Sequence, residues 1–294
     1  MSKSETISVA TKTPVLAIHI NGEILDVKTK TKNLIEKSIK SGYYISVITV
    51  AAILGMWVLV TAMGWANPLF LPTPLAVYHA FIEVAVNGYQ GSTLLEHISV
   101  SLYRILVAFF LACLVGIPLG IAMGVSKTTS RIFNPIIEFY RPLPPLGLYT
   151  LLVMWLGIGE SSKLALLFLS GLPGIIIATI QSVRQINPNH IRVAKSLGAT
   201  KRQLITQVYL PGAGPTILTG MRISLGFIYT VLVAAEIVAA TAGIGWMIWD
   251  AAKFLLSDIV IMGLIVLGIT GMAMDAILKL AGKIIMPWTR KRHA

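Results

Sequence analysis

The sequence predicts an all-α protein that crosses a membrane about six times. Of its 294 residues, 55% are hydrophobic and only 12% are charged, whereas soluble domains carry about a quarter charged residues. Long apolar runs recur along the chain, and the mean hydropathy is +0.79. This composition excludes an ordinary soluble enzyme and a disordered chain. The single cysteine, Cys113, excludes a disulfide scaffold.

The first apolar run follows a polar, lysine-rich leader. No charged residue occurs between Lys40 and Glu83, which leaves ample room for a spanning helix of about 20 residues. We place the first span at residues 43–63. We expect a retained anchor, because residues 1–42 are too long for the charged region of a signal peptide. Within this leader an Asn-Gly pair flanked by apolar residues is compatible equally with a small hairpin and with a disordered arm.

Five further apolar runs predict the remaining spans. They lie at residues 103–124, 132–156, 164–183, 215–239 and 259–280. An even number of spans places both termini on one side of the membrane. Lys and Arg cluster in the leader, around Arg131, in residues 184–202 and in a basic tail at residues 283–294. The opposite side has only Arg104, Lys163 and Lys253, so the positive-inside rule predicts cytoplasmic termini.

Prolines interrupt the third span. Pro142, Pro144 and Pro145 fall within four positions, and such a run cannot lie inside a continuous helix. Non-helical backbone at membrane depth persists only where protein or a water-filled cavity satisfies it, so a broken span indicates a translocation path. The alternative is a simple kink packed against neighbouring helices. The three prolines and Tyr140 are therefore candidates for the lining of the path.

Ionisable residues inside the spans are the other candidates for the path. Glu138 and Arg141 are three positions apart and would share a helix face. Either they pair with each other or Arg141 contacts an anionic substrate. Glu236, near the outer end of the fifth span, is a candidate gate, with a buried hydrogen-bonded carboxylate as the alternative. Arg222, near the cytoplasmic start of that span, is expected to be structural.

Other sequence features argue for packing and against chemistry by this chain. Gly116, Gly120 and Gly124 recur every four residues and predict the close approach of another helix. The phosphate-loop pattern Gly-x4-Gly-Lys-Ser/Thr is absent from the sequence. The five histidines lack the spacing of metal ligands. We predict no catalytic residue, no metal and no bound cofactor.

The segment between the fourth and fifth spans predicts two short amphipathic helices. Asn187 is a favourable N-cap ahead of a proline, and Gly198 suits the left-handed end of the first helix. Thr200 and Gln203 form a capping box for the second helix, and we expect a Leu-Pro-Gly sequence at positions 210–212 to end it. Such a pair fits a docking element or a helix pair on lipid headgroups.

This segment resembles the EAA loop of binding-protein-dependent ABC importer permeases. Their pattern, Glu-Ala-Ala-x3-Gly-x9-Ile-x-Leu-Pro, corresponds to Arg-Val-Ala-x3-Gly-x9-Val-x-Leu-Pro at positions 192–211. Arg192 departs from the acidic first position, Val193 from the first alanine and Val208 from isoleucine. The resemblance implies a loop that couples to an ATPase through Arg192, Val193, Ala194, Ser196, Leu197, Gly198, Ala199, Val208, Leu210 and Pro211.

Further motifs look like the taurine, sulfonate, nitrate and bicarbonate branch of that family. They include Asn-Pro-Leu-Phe-Leu-Pro-Thr-Pro at positions 67–74, Trp-x-Gly-Ile-Gly-Glu-Ser-Ser-Lys at 155–163 and Ala-Ala-Glu at 234–236. The Tyr-Arg-Pro-x-Pro-Pro sequence at 140–145 looks most like taurine-type permeases. The resemblance implies a type I ABC transmembrane domain at residues 95–282. Residues 43–94 precede it as the first span and an outer connecting segment.

The resemblance also implies partners and a mechanism. Two copies of the chain would line one path across a bacterial inner membrane, above two P-loop ATPase subunits that use ATP and Mg²⁺. A solute-binding protein would deliver taurine or an alkanesulfonate from outside. Nitrate, bicarbonate and a thiamine precursor are alternative cargoes, and a passive channel, a secondary transporter or a membrane-embedded enzyme are more distant alternatives. Nucleic acid is not an expected partner, because the basic excess of +12 reflects topology.

Overall fold

The computed structural model describes residues 17–20, 23–238 and 240–288. The chain divides into two compact units, Met1–Trp65 and Ala66–Ala294, which we describe separately. Several sequence predictions fall outside the described residues. They are most of the leader ahead of the hairpin, Ala239 at the expected end of the fifth span, and the basic cluster at positions 290–292.

The first unit contains a hairpin and a long helix. Strands β1 (Ala17–Ile20) and β2 (Glu23–Asp26) pair antiparallel, with Ala17 opposite Asp26. Of the two alternatives left open by the sequence, the structure shows the hairpin. Helix α1 (Val27–Ala62) follows at once. It runs through the boundary expected at residue 42, because no proline interrupts the sequence there. Its part Tyr44–Ala62 has a mean hydropathy of 2.3 and is long enough to cross a membrane.

The second unit is helical throughout its regular elements. Its helices are α2 (Pro74–Asn87), α3 (Leu94–Val125), α4 (Lys127–Tyr140), α5 (Pro145–Leu156), α6 (Glu160–Arg184), α7 (Pro188–Ser196), α8 (Lys201–Gln203), a π-helical segment (Leu204–Tyr209), α9 (Leu210–Ile237), α10 (Ile244–Lys253) and α11 (Ser257–Ile285). The predicted all-α class is confirmed for this unit. Helices α2 and α10 are additions that the sequence analysis does not include.

The third predicted span is divided in two. Among the described residues, five helices are long and apolar enough to cross a membrane: α1, α3, α6, α11 and the continuous helix Lys201–Ile237. In place of a sixth, α4 ends at Tyr140 and α5 begins at Pro145. The break falls at the proline run, as predicted. Neither α4, with 14 residues, nor α5, with 12, reaches across about 30 Å of hydrocarbon.

Small residues bring α3, α6 and α9 into close contact. A Cβ added to Gly120 would lie 2.5 Å from Cβ of Thr179 on α6, and its neighbours Gly116 and Gly124 meet α6 in the same way. The predicted helix contact along this stripe is confirmed. On the other side of α6, a Cβ at Gly220 of α9 would lie only 2.1 Å from Cβ of Ala178.

One predicted helix boundary is wrong. The second short helix does not end at positions 210–212 but continues through the π-helical segment into α9. The N–H of Leu210 donates to the carbonyl of Ile205, five residues earlier. Because this wider turn directly precedes Pro211, it accommodates a residue that lacks an N–H and that would otherwise stop the helix. Leu210 and Pro211 therefore lie at the start of α9.

Candidate coupling segment and translocation path

Residues 188–211, which we call the 188–211 segment, connect α6 to α9. The side chain of Asn187 accepts a hydrogen bond from the N–H of Asn189 at 2.9 Å and caps α7. Gly198 ends α7 in the left-handed conformation, at φ +80°, which glycine adopts without strain. The reciprocal capping box of Thr200 and Gln203 is present. The caps predicted from the sequence are confirmed.

The segment presents apolar side chains to the outside. Val193 is 58% exposed and Leu197 82% exposed, while Leu204 is buried and anchors the second half of the segment. Leu197 lies one residue past α7, whereas Ile191 and Ala194 lie on α7 and are both partly buried. Of the predicted coupling residues, Arg192, Val193, Ser196, Leu197, Gly198 and Leu210 are exposed, and Ala194, Ala199, Val208 and Pro211 are partly buried.

A cavity lies beside the break between α4 and α5. It has a volume of about 350 Å³ and lies between this break, α6 and α9. Tyr140, Arg141 and Pro145 line it. The cavity thus brings together three of the predicted path residues, whereas Glu138, Pro142 and Pro144 lie outside its lining.

Glu138 and Arg141 do not form the ion pair that their spacing allows. The ion pairs of the described residues do not include these two side chains. Instead Oε1 of Glu138 accepts a hydrogen bond from Nδ2 of Asn134 at 2.5 Å, one helical turn earlier. Arg141 is the C-terminal cap of α4, and its N–H still donates to the carbonyl of Ile137, so the helical turn is present but the two side chains do not pair. Of the two predicted alternatives, the mutual pair is excluded in this conformation.

Tyr140 is engaged with the backbone of α6. Its hydroxyl donates to the carbonyl oxygen of Leu169 at 3.0 Å. That carbonyl lacks its helical donor, because Pro173, four residues later, has no N–H. The bond therefore satisfies an orphaned acceptor and fixes the end of α4 against α6.

Glu236 lies in a different place, within a buried network of charges. Its Oε1 accepts from Nη1 of Arg104 at 2.8 Å and from the hydroxyl of Ser101 at 2.7 Å. Its Oε2 accepts from the N–H of Gly245 at 2.7 Å. Glu236 is completely buried. The side chain is thus a hydrogen-bonded carboxylate that joins α3, α9 and the start of α10.

The network continues to α6 through Glu160. Nη2 of Arg104 approaches Oε1 of Glu160 at 2.6 Å, and Nζ of Lys163 approaches the same atom at 3.0 Å. Arg104 and Lys163 are almost fully buried, whereas half of the Glu160 side chain is exposed. The buried cluster therefore holds two cations and two carboxylates, which compensates the cost of removing each charge from water.

An aromatic group borders the network. His97 stacks on Trp246 with ring centroids 5.8 Å apart, and Nδ1 of His97 accepts from the N–H of Gly243 at 3.1 Å. The hydroxyl of Tyr89 donates to Asp250 at 3.2 Å. Burial, and then the negative charge and hydrogen bond of Asp250, raise the pKa of Tyr89 to about 12. Its phenol therefore stays protonated at neutral pH and keeps donating.

Sequence comparison identifies the family. Residues 116–291 match the family described as binding-protein-dependent transport system inner membrane component. The chain belongs to this family of membrane permeases.

Several curated permeases resemble this one along most of their length. The taurine transport system permease protein TauC of Escherichia coli is 42% identical over 245 residues, which cover 83% of this chain and 89% of that protein. The putative aliphatic sulfonates permease SsuC of Bacillus subtilis is 31% identical, covering 84% and 88%. The nitrate import permease NrtB of Synechocystis is 30% identical, covering 83% and 90%. The permease thus lies in the taurine, sulfonate and nitrate branch of the family.

A solved structure shares the fold. An inward-facing structure of the MetNI methionine ABC transporter superposes with a TM-score of 0.57 at 20% sequence identity, covering 66% of this chain and 94% of that one. This similarity supports the predicted type I importer fold of the permease and, at this identity, the fold alone.

Three members of the buried network, Arg104, Lys163 and Glu160, were not among the predicted site residues. From the sequence, Arg104 and Lys163 count only as basic residues of the outer side. A signal for their burial does exist. His97, Ser101 and Arg104 are four and three positions apart and share one face of α3. A polar face on an otherwise apolar helix predicts a buried polar partner, which in this permease is Glu236.

Proposed function

We propose that this chain is the permease subunit of an ATP-driven importer and forms the translocation path for a small organic anion or zwitterion such as taurine or an alkanesulfonate. The 42% identity to a taurine permease supports the cargo class. The exposed 188–211 segment carries the proposed coupling role. Nitrate, bicarbonate and a thiamine precursor remain rival cargoes, and of these nitrate has support from the similarity to NrtB.

In this proposal, two copies of the chain assemble with two separate P-loop ATPase subunits on the cytoplasmic side. The ATPase subunits bind ATP and Mg²⁺, and the chain itself does not hydrolyse ATP. Val193 and Leu197 suit insertion into an apolar groove of the ATPase, because they are exposed at 58% and 82%. Basic residues next to them, Arg192 and Lys195, favour an acidic rim on that groove. Lipid headgroups are the competing partner for the same surface.

The proposed topology places both termini and the 188–211 segment in the cytoplasm. The stretch from Arg184 to Arg202, which overlaps this segment, has five basic residues, as expected for the cytoplasmic side. The opposite ends of α3, α6 and α9 then face outwards, where a solute-binding protein delivers the cargo. The cavity beside Arg141 is part of the path in this proposal.

Reconstitution tests the class and the cargo together. The permease is assembled with its ATPase subunits in proteoliposomes, and uptake of labelled taurine, ethanesulfonate, nitrate, bicarbonate and a thiamine precursor is measured with the binding protein outside. We expect uptake of the sulfonates that requires both ATP and the binding protein. Transport by the permease alone, without nucleotide, would show a channel or a secondary transporter and overturn the proposal.

Gly198→Pro tests the coupling role. Proline cannot adopt the φ of +80° at this position and also removes the hydrogen bond from this N–H to the carbonyl of Lys195. We expect insertion to persist while ATP-dependent uptake is abolished. Gly64→Pro is a matched control, because Gly64 also follows a helix at positive φ, in open space, with its N–H bonded three residues back. Normal uptake by the Gly198→Pro complex would refute the coupling role.

A further inference from the structure

The cavity beside Arg141 has the character of an anion site. Fourteen residues line it, none is acidic, and Arg141 is its one charged side chain. The remaining walls are largely apolar, and Gln181 and Ser170 add polar groups. Arg141 is itself exposed, and the apolar walls of the cavity lie beside it. Such walls lower the local dielectric and strengthen the attraction of a guanidinium for an anion relative to bulk water.

Arg141 differs from Arg104 and Arg222, the two arginines that are paired inside the helix bundle, in having no protein partner among the described residues. Arg104 is paired with Glu160 and Glu236, and Arg222 is paired with Asp275 on α11. Within residues 44–238 and 240–288, the guanidinium of Arg141 makes no hydrogen bond and no ion pair. Its nearest acidic residue in sequence, Glu138, is bonded to Asn134 instead. The five donors of the Arg141 guanidinium are therefore available to a ligand.

The position of Arg141 is fixed by its neighbour. The Tyr140 hydroxyl is bonded to the carbonyl of Leu169, which holds the end of α4 against α6 immediately before Arg141. The part of the cavity lining formed by α6 and α9 is also constrained, because Gly220 of α9 packs directly against Ala178 of α6. The backbone that carries Arg141 is held in this way, so binding of a ligand has to order only the exposed side chain.

We infer that this cavity binds the anionic head group of the cargo through Arg141 and does not recognise an amino group. The lining contains no carboxylate to receive an ammonium. Two sulfonate or carboxylate oxygens match the planar fork of a guanidinium, and the side-chain amide of Gln181 can donate to a third. The inference rests on the proposed function, since it assigns this subsite to the path of the importer. In the intact system, discrimination by the amino group then belongs to the binding protein.

Ligand binding to the complex of permease and ATPase subunits tests this inference. The complex is placed in nanodiscs without nucleotide or binding protein, and three probes are titrated by saturation-transfer NMR: ethanesulfonate, taurine and ethylamine. We expect ethanesulfonate and taurine to bind with affinities within about threefold of each other, and ethylamine not to bind. Tighter binding of taurine than of ethanesulfonate by more than about tenfold would overturn the inference, as would binding of ethylamine at comparable concentrations.

Variants of Arg141 identify the site. Arg141→Gln should weaken ethanesulfonate binding about 10- to 100-fold, because one charge-assisted contact is lost. Arg141→Lys keeps the charge but not the fork and should fall in between. Arg131→Gln, on the same helix, exposed and outside the cavity, is the matched control and should bind as wild type. Unchanged binding by Arg141→Gln would overturn the inference. Because this readout needs no transport, failure of the proposed function would be seen separately, as absent uptake in proteoliposomes.

Discussion

Substitution of Glu236 by glutamine should strongly destabilise the permease. The carboxylate accepts hydrogen bonds from Arg104 and Ser101 at one oxygen and from Gly245 at the other. A glutamine amide has only one acceptor oxygen, so in either orientation its NH₂ group faces a donor. Arg104 also keeps its burial while it loses a counter-charge. Removal of one partner from a buried pair costs about 3–5 kcal/mol, which is an upper bound here because Glu160 still pairs with Arg104.

Thermal unfolding of the purified permease measures this cost. A loss of 3–5 kcal/mol corresponds to a fall in melting temperature on the order of 10 °C for a domain of this size. Glu83→Gln is the matched control, because Glu83 is exposed on α2 and surface substitutions usually change stability by less than about 0.5 kcal/mol. Equal melting temperatures for Glu236→Gln, Glu83→Gln and wild type would refute the assignment of Glu236 as a stabilising partner of Arg104.

A double-mutant cycle separates the pair from its surroundings. Arg104→Met combined with Glu236→Leu removes both charges, so we expect the double variant to be more stable than the sum of the single effects predicts.

A gating role for Glu236 is a separate prediction. Glu236→Ala should abolish the stimulation of ATP hydrolysis by loaded binding protein in complexes that still assemble. Normal stimulation in such complexes would leave Glu236 with a structural role only.

Two further substitutions test the packing around the path. Gly220→Ala should destabilise the permease by about 1–3 kcal/mol through overpacking, because the added methyl would lie 2.1 Å from Cβ of Ala178. Gly226→Ala, on the same helix with open space around it, should be neutral or stabilising. A lower melting temperature for Gly226→Ala than for Gly220→Ala would contradict this contact. Tyr140→Phe leaves the carbonyl of Leu169 without a donor and should lower stability by about 1–3 kcal/mol. It should also weaken the binding of ethanesulfonate. Wild-type stability and wild-type binding would show that this hydroxyl does not hold the cavity lining in place.

Much of the fold could be predicted from local sequence, because the determining interactions are local. Hydropathy located the long helices, and the proline run located the break between α4 and α5. The caps at Asn187 and Thr200 depend on residues within one turn of each other. The end of the second short helix could not be predicted this way. Leu-Pro-Gly normally stops a helix, and only the preceding π-helical turn allows it to continue.

The site was less predictable, because it depends on pairings between distant elements. The spacing of Glu138 and Arg141 is that of neighbours on a helix, yet Asn134, one turn earlier on the same helix, donates to the carboxylate instead. The positive-inside rule counts each lysine and arginine as facing water. It therefore cannot distinguish a buried basic side chain from a basic residue in a loop. Arg104 pairs with a carboxylate that is distant in sequence, and Lys163 pairs with one on its own helix.

The arrangement of two helices gives the 188–211 segment a direct mechanical connection to the buried network. Helix α6 precedes the segment and carries Glu160 at its opposite, N-terminal end. The continuous helix Lys201–Ile237 begins within the segment and carries Glu236 near its C-terminal end. This second helix has 37 residues and is therefore about 55 Å long. Because the two helices are in close contact at Gly220 and Ala178, we expect a displacement of the segment to move both helices together. Arg104 on α3 binds the far ends of both helices, so α3 must move with them or these ion pairs must break. A crosslink that fixes α3 to α6 should therefore leave ATP-dependent uptake in proteoliposomes unchanged. Loss of uptake in the crosslinked complex would show that α3 and α6 move apart during transport.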